Sequence, residues 1–137
     1  MDAAICDQLV AILRADRSGT VAAYVFGSTA RGDATAASDV DVAVLWDRTP
    51  ASTLVGERLE LESSLERHLG RAVDVVALNT APADLVHRIL RDGVIVLDRD
   101  PGRRIRFEVA RRNEYFDLEP VRRLYRRRSG EHESGAR

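Results

Sequence analysis

Gly27-Ser28, followed after ten residues by Asp39-Val40-Asp41, is the stretch on which the fold turns. The run Val21-Ala22-Ala23-Tyr24-Val25-Phe26 before it is short, apolar and bounded by Gly19 and Gly27, the pattern of a buried strand. It ends at a Gly-Ser pair. Glycine lets backbone approach a ligand closely, and Ser28-Thr29-Ala30-Arg31 reads as the first turn of a short helix, whose free N–H groups favour an anion such as phosphate. After a turn-like stretch over 32–38, Asp39-Val40-Asp41-Val42-Ala43-Val44-Leu45-Trp46 has strand composition. Side chains alternate along a strand, so Asp39 and Asp41 project from one face and Val40, Val42 and Val44 from the other. Two carboxylates one pleat repeat apart repel each other unless a cation lies between them. The pair therefore points to a divalent metal with oxygen ligands, Mg²⁺ first, since it combines a few carboxylates with substrate phosphates.

A third acid is a candidate for the same site. Ala72-Val73-Asp74-Val75-Val76-Ala77-Leu78 is an apolar run with Asp74 as its sole charge, and an isolated charge in a buried strand is costly unless paired or metal-bound. Its strand is expected beside that of Asp39 and Asp41.

Around these strands the chain alternates helix and strand. Ile5, Leu9, Ile12 and Leu13 predict an amphipathic opening helix. Leu54, Leu61, Leu65 and Leu69 predict a second after Pro50, with Glu57, Glu60, Glu62 and Glu66 as a solvated face and Gly70 as its stop. A third spans 80–91, with a polar cap at Thr80, an early Pro82 and a basic end, and Val94-Ile95-Val96-Leu97 reads as the last strand. From about residue 101 an arginine-rich helix follows, broken near Pro120, and 129–137 reads as a disordered tail. The expected architecture is α/β (α+β): a small mixed sheet flanked by helices, in one domain over 1–128.

Composition fits a compact intracellular domain. At 137 residues there is room for one core, and the single Cys6 excludes an internal disulfide and serves as apolar filler. The N-terminus lacks a basic region before an apolar stretch, and no apolar run is long enough to span a bilayer, so a cytoplasmic protein with no membrane partner is expected. Every basic residue is arginine, which excludes a lysine nucleophile. Residues 1–98 set nine arginines against fifteen acids, whereas 99–137 set twelve against seven. In that basic tail Glu108, Glu114, Asp117 and Glu119 interrupt the positive charge and weaken a nucleic-acid reading; packing on the core or a partner protein is favoured.

Together, Gly27-Ser28, Arg31-Gly32, Ser38-Asp39, Asp41 and Asp74 resemble the nucleotidyltransferase superfamily of the DNA polymerase β type. More narrowly, the short chain resembles the minimal nucleotidyltransferases (MNT) that serve as antitoxins beside HEPN-domain toxins. The resemblance implies the polymerase β-like fold, nucleotide phosphates on Gly27 and Ser28, and two Mg²⁺ ions held by Asp39, Asp41 and Asp74. It implies transfer of AMP from ATP to a tyrosine hydroxyl of a HEPN ribonuclease toxin, as a hetero-oligomer, with Asp74 nearest the acceptor.

Other readings stand beside these. Arg31 could contact a phosphate or pair with Asp33. His68, His87 and His132 lack ligand spacing and read as surface residues, and Trp46 reads as packing rather than a base-stacking platform. Further domains hold the acceptor in larger members, so something outside the 137 residues is expected to complete the site. The alternatives are an antitoxin that neutralises by binding alone and a stand-alone enzyme modifying a small molecule such as an aminoglycoside.

Overall fold

The computed structural model describes residues 3–35, 38–48 and 51–129, with side chains over 55–116 of the last stretch. The elements run α1 (Ala3–Ala15), β1 (Thr20–Phe26), α2 (Gly27–Arg31), β2 (Val40–Trp46), α3 (Ala51–Leu69), β3 (Val73–Ala77), α4 (Ala83–Asp92), β4 (Val94–Asp98) and α5 (Pro101–Ser129). The strands form one sheet in the order β3-β2-β1-β4. β1 pairs antiparallel with β2 and β4, while β2 and β3 run parallel. A parallel neighbour needs a crossover rather than a hairpin, and α3 is that crossover.

Strand alternation divides the core in two. On one face Val25, Val42, Val44, Trp46 and Val75 meet Ile5, Leu9 and Leu13 of α1 and Leu61 and Leu65 of α3. Cys6 packs at the edge of this cluster, as a small apolar residue should. On the other face Tyr24, Ala43 and Leu45 meet Val86 and Ile89 of α4, with Phe107 of α5 against them. Trp46 is buried and donates its indole N–H to Ser18 Oγ at 3.0 Å, in keeping with a packing role.

A buried polar cluster ties α5 to the sheet. The Tyr24 hydroxyl donates to Glu108 Oε2 at 2.6 Å, and Arg104 contacts Glu108 at 3.0 Å and Asp98 at 3.0 Å. Burial first, then the Glu108 carboxylate, pushes the Tyr24 phenol well above its ordinary range. Glu108 therefore anchors the helix instead of merely interrupting its positive charge.

Other expectations change in detail. Glu62 and Glu66 are not simply a solvated face: Glu62 accepts from the Val75 N–H at 2.8 Å and Glu66 from the Val73 N–H at 3.0 Å. Arg58 donates to the Val75 carbonyl at 3.3 Å, so three α3 side chains occupy hydrogen-bonding groups on the outer edge of β3. Helix α4 is preceded by Pro82 with no side-chain cap, since the fixed φ of proline already sets the entry and Thr80 is not needed there. Helix α5 continues through Pro120 without a break and includes Ser129. The rest of the expected tail, 130–137, lies outside the described residues, as do Pro50 and the side chains of Leu54, Leu118, Val121, Leu124 and Tyr125. His87 is not a surface residue: it is half-buried and stacks on Tyr115 at 3.8 Å with nearly parallel rings. Among the described residues no helix is long and apolar enough to cross a membrane.

Candidate active site

The register of three strands builds the site. Phe26, the last residue of β1, pairs with Asp41 on β2, and Asp41 pairs in parallel register with Asp74 on β3. Asp41 and Asp74 belong to the alternation that faces α4, beyond the point where the apolar cover stops. Gly27 turns the chain from β1 into α2 at φ +71°. A Cβ at Gly27 would overlap the Asp41 carboxylate, so the Gly-Ser turn and the first strand carboxylate are in direct contact. Only glycine suits both that φ and that approach.

Helix α2 is five residues long and closes on Gly32, whose N–H reaches the Ser28 carbonyl at 3.0 Å at a left-handed φ of 85°. Thr29 is buried, while Gly27 and Ser28 are half-buried and reach solvent beside Asp41. Asp39 lies just before β2 and is exposed. Its approach is held by Arg71, which donates to the carbonyls of Thr35 and Ser38 at 2.8 Å each, and by the Val40 N–H on the Ala72 carbonyl at 3.0 Å. Arg71 carries no motif, and its role became visible only when β3 was placed beside β2.

Asp74 lies where expected relative to Asp41, yet the reason given for it does not hold. Strand β3 is an edge of the sheet and Asp74 is exposed, so it is not a lone charge in an apolar interior. The cost is felt at Asp41 instead. Its own burial, then the Asp74 and Asp39 carboxylates, push the Asp41 carboxyl above the usual range, with Arg31 opposing them. Arg31 is exposed and its guanidinium pairs with Asp33 at 3.3 Å. The pairing keeps Arg31 at the site's rim, where its charge still reaches Asp41.

The donor set suits a hard divalent cation, because it is all carboxylate oxygen and one member is already disfavoured as an anion by the others. Asp39, Asp41 and Asp74 are the residues that could hold it. Among the described residues no three acid, histidine or cysteine side chains are drawn together tightly enough to close a metal site unaided.

A mixed sheet of order β3-β2-β1-β4, with a glycine-serine turn leading into a short helix beside strand-borne aspartates, is the architecture of a nucleotidyltransferase. Residues 7–102 match the family described as Polymerase beta, Nucleotidyltransferase, and the chain belongs to that family. It is 36% identical over 81 residues to the protein adenylyltransferase MntA of Thermococcus cleftensis, a match covering 59% of this chain and 79% of that one. A crystal structure of a toxin-antitoxin with AMP-PNP aligns with a TM-score of 0.75 at 26% identity, over 88% of this chain and 94% of that one. A tri-AMPylated Shewanella oneidensis HEPN toxin in complex with MNT antitoxin aligns with a TM-score of 0.70 over 91% and 95% of the two chains. At 23% identity that last likeness is one of fold.

Proposed function

We propose that this chain is an antitoxin that transfers AMP from ATP to a tyrosine hydroxyl of a partner HEPN ribonuclease toxin, and thereby neutralises it. The observation that carries the reading is the register that sets Gly27 against Asp41 and Asp41 beside Asp74. It puts a phosphate cradle and the carboxylates on one patch of one sheet face. The similarity to a protein adenylyltransferase and to a toxin-antitoxin with AMP-PNP supports the choice of donor and partner. A reaction that draws on ATP belongs to the cytoplasm.

In the proposed reaction a new bond forms between the acceptor oxygen and the α-phosphorus. The bond from the α-phosphorus to the bridging oxygen of the β-phosphate breaks, and its electron pair leaves with pyrophosphate. Two Mg²⁺ ions held by Asp39, Asp41 and Asp74 would supply charge neutralisation of the triphosphate and a more acidic acceptor hydroxyl. The chain's own groups do the rest by positioning. Gly27 leaves space for a phosphate next to Asp41, and Ser28 with the N–H groups of the α2 turn donates to β- and γ-phosphate oxygens. Asp74, on the outermost of the three strands and exposed, takes the proton of the acceptor hydroxyl at its carboxylate. Arg31 offsets the negative charge around Asp41.

Co-expression with the HEPN protein encoded beside this chain, followed by intact mass measurement of that protein, tests the reading. The expected result is an increment of one or more AMP units with the wild type and none with Asp39→Ala/Asp41→Ala. A HEPN protein that is neutralised by the wild type yet carries no added mass overturns it in favour of neutralisation by binding alone.

A further inference from the structure

We propose that the groove on the far side of Asp74 is the acceptor site, and that it takes a tyrosine side chain presented by a partner protein. The proposal rests on the reading of this chain as a nucleotidyltransferase acting on a protein. The groove has a volume of about 380 Å³ and lies between α3, β3 and the start of α4. That volume is within the range of about 300–1,000 Å³ usual for small-molecule pockets. Asp74 stands at its mouth, and its walls include Val55, Val76, Ala81, Pro82 and Leu85.

Position comes first. Gly27 touches Asp41, Asp41 pairs with Asp74, and Asp74 opens into the groove, so phosphate turn, carboxylates and groove follow one another across the sheet from β1 to β3 and beyond. Neither Gly27 nor Ser28 lines the groove. A nucleotide seated on the Gly-Ser turn therefore leaves the groove free, and a hydroxyl lying in it meets the carboxylates from the opposite side to the triphosphate.

Polarity then selects the occupant. The walls are mainly aliphatic, and the guanidinium of Arg58, their one cationic side chain, is already committed to the Val75 carbonyl and Glu62. The matching group has an apolar body and one hydroxyl at its tip. A phenol satisfies both requirements. Serine or threonine would leave the aliphatic walls uncovered, and a ribose or aminosugar would strip water from several polar groups against Val76, Pro82 and Leu85 without replacing those hydrogen bonds. The rim points to a protein carrier: Val55 is 54% exposed and Leu59, one helical turn on, is 47% exposed, so an apolar strip of α3 continues outward from the groove.

Two substitutions at exposed rim positions test this, Val55→Trp on α3 and Thr80→Trp on the loop before α4, in steady-state AMP transfer to the HEPN protein. The expected result is a KM for the acceptor raised about tenfold or more in both, the scale on which a filled pocket discriminates. KM for ATP and the melting temperature should stay at their wild-type values, and peptide mapping should place AMP on tyrosine. Wild-type acceptor KM in both variants overturns the proposal, as does AMP mapped to serine, threonine or RNA while the wild type is active. Absence of any transfer by the wild type is a different failure: it overturns the adenylyltransferase reading itself and this site with it.

Discussion

Alanine at Gly27 separates two consequences of the glycine-serine turn, its backbone conformation and its closeness to Asp41. At Gly27 φ is +71°, and a Cβ there would overlap Asp41 Oδ2 and come within 3.3 Å of its carboxyl carbon. Gly70 provides the comparison, with φ +67° and nothing within 4 Å of an added Cβ. Left-handed backbone costs an alanine about 1–2 kcal/mol, so Gly70→Ala should lose that and no more. For a domain of this size 1 kcal/mol corresponds to roughly 3–5 °C in Tm. Gly27→Ala bears the same backbone cost plus about 1–3 kcal/mol for forcing a carbon into an occupied space. Relief of the overlap requires Asp41 to swing away from the turn, and a misplacement of that order costs about 100-fold in rate. Thermal melting and AMP transfer to the HEPN protein, measured on both variants, give the comparison. Gly70→Ala should retain wild-type transfer with a modest loss in Tm, and Gly27→Ala should fall clearly below it in both. Equal Tm and equal transfer in the two variants would refute the contact between Gly27 and Asp41 as the feature that fixes the site.

The remaining predictions concern charge and hydrogen bonding. The folded-state pKa of Asp41 is raised above its ordinary 3.8, so the fold favours the protonated acid; the associated stability is complete at low pH and is lost as pH rises from 3.8 through the folded value. Asp41→Asn should therefore melt higher than the metal-free wild type at neutral pH, converge with it in acid and transfer no AMP; a neutral-pH Tm at or below wild type contradicts this. Glu62→Ala/Glu66→Ala removes the acceptors of the Val75 and Val73 N–H groups and should cost about 1–3 kcal/mol per bond at most, with faster hydrogen exchange at those two amides; unchanged exchange contradicts the edge contacts. Tyr24→Phe deletes the 2.6 Å hydrogen bond to Glu108 and should cost about 1–3 kcal/mol in urea unfolding, since the carboxylate keeps Arg104 but loses a buried donor. A variant as stable as wild type would mean that α5 is not anchored there.

The strands and helices were legible because their periodicity is local. Leu9 and Leu13 are fully buried in α1, and Val40, Val42 and Val44 are fully buried in β2, as helical spacing and strand alternation require. The Gly-Ser turn and the Asp39/Asp41 pair were legible for the same reason, lying within one strand-turn-strand segment. What depends on pairing between distant strands was harder to read. Asp74 was found from an apolar run, but its exposure follows from β3 being an edge strand, which no local pattern encodes. The same edge explains Glu62 and Glu66, which look like any solvated helix face until β3 lies beneath them. His87 read as a surface residue because Tyr115, its stacking partner, is 28 residues away in a segment with weak apolar periodicity. Pro120 suggested a break that α5 does not have.

The central claim is that this site moves a nucleotidyl group, with Asp39 and Asp41 at its centre. Purified chain and purified HEPN protein incubated with Mg²⁺ and ATP labelled either at the α- or at the γ-phosphate test it most directly. The account predicts label on the HEPN protein from α-labelled ATP alone, release of pyrophosphate in equal amount, and neither with Asp39→Ala/Asp41→Ala. Label from γ-labelled ATP, or α-label incorporated equally by the double variant, would contradict it.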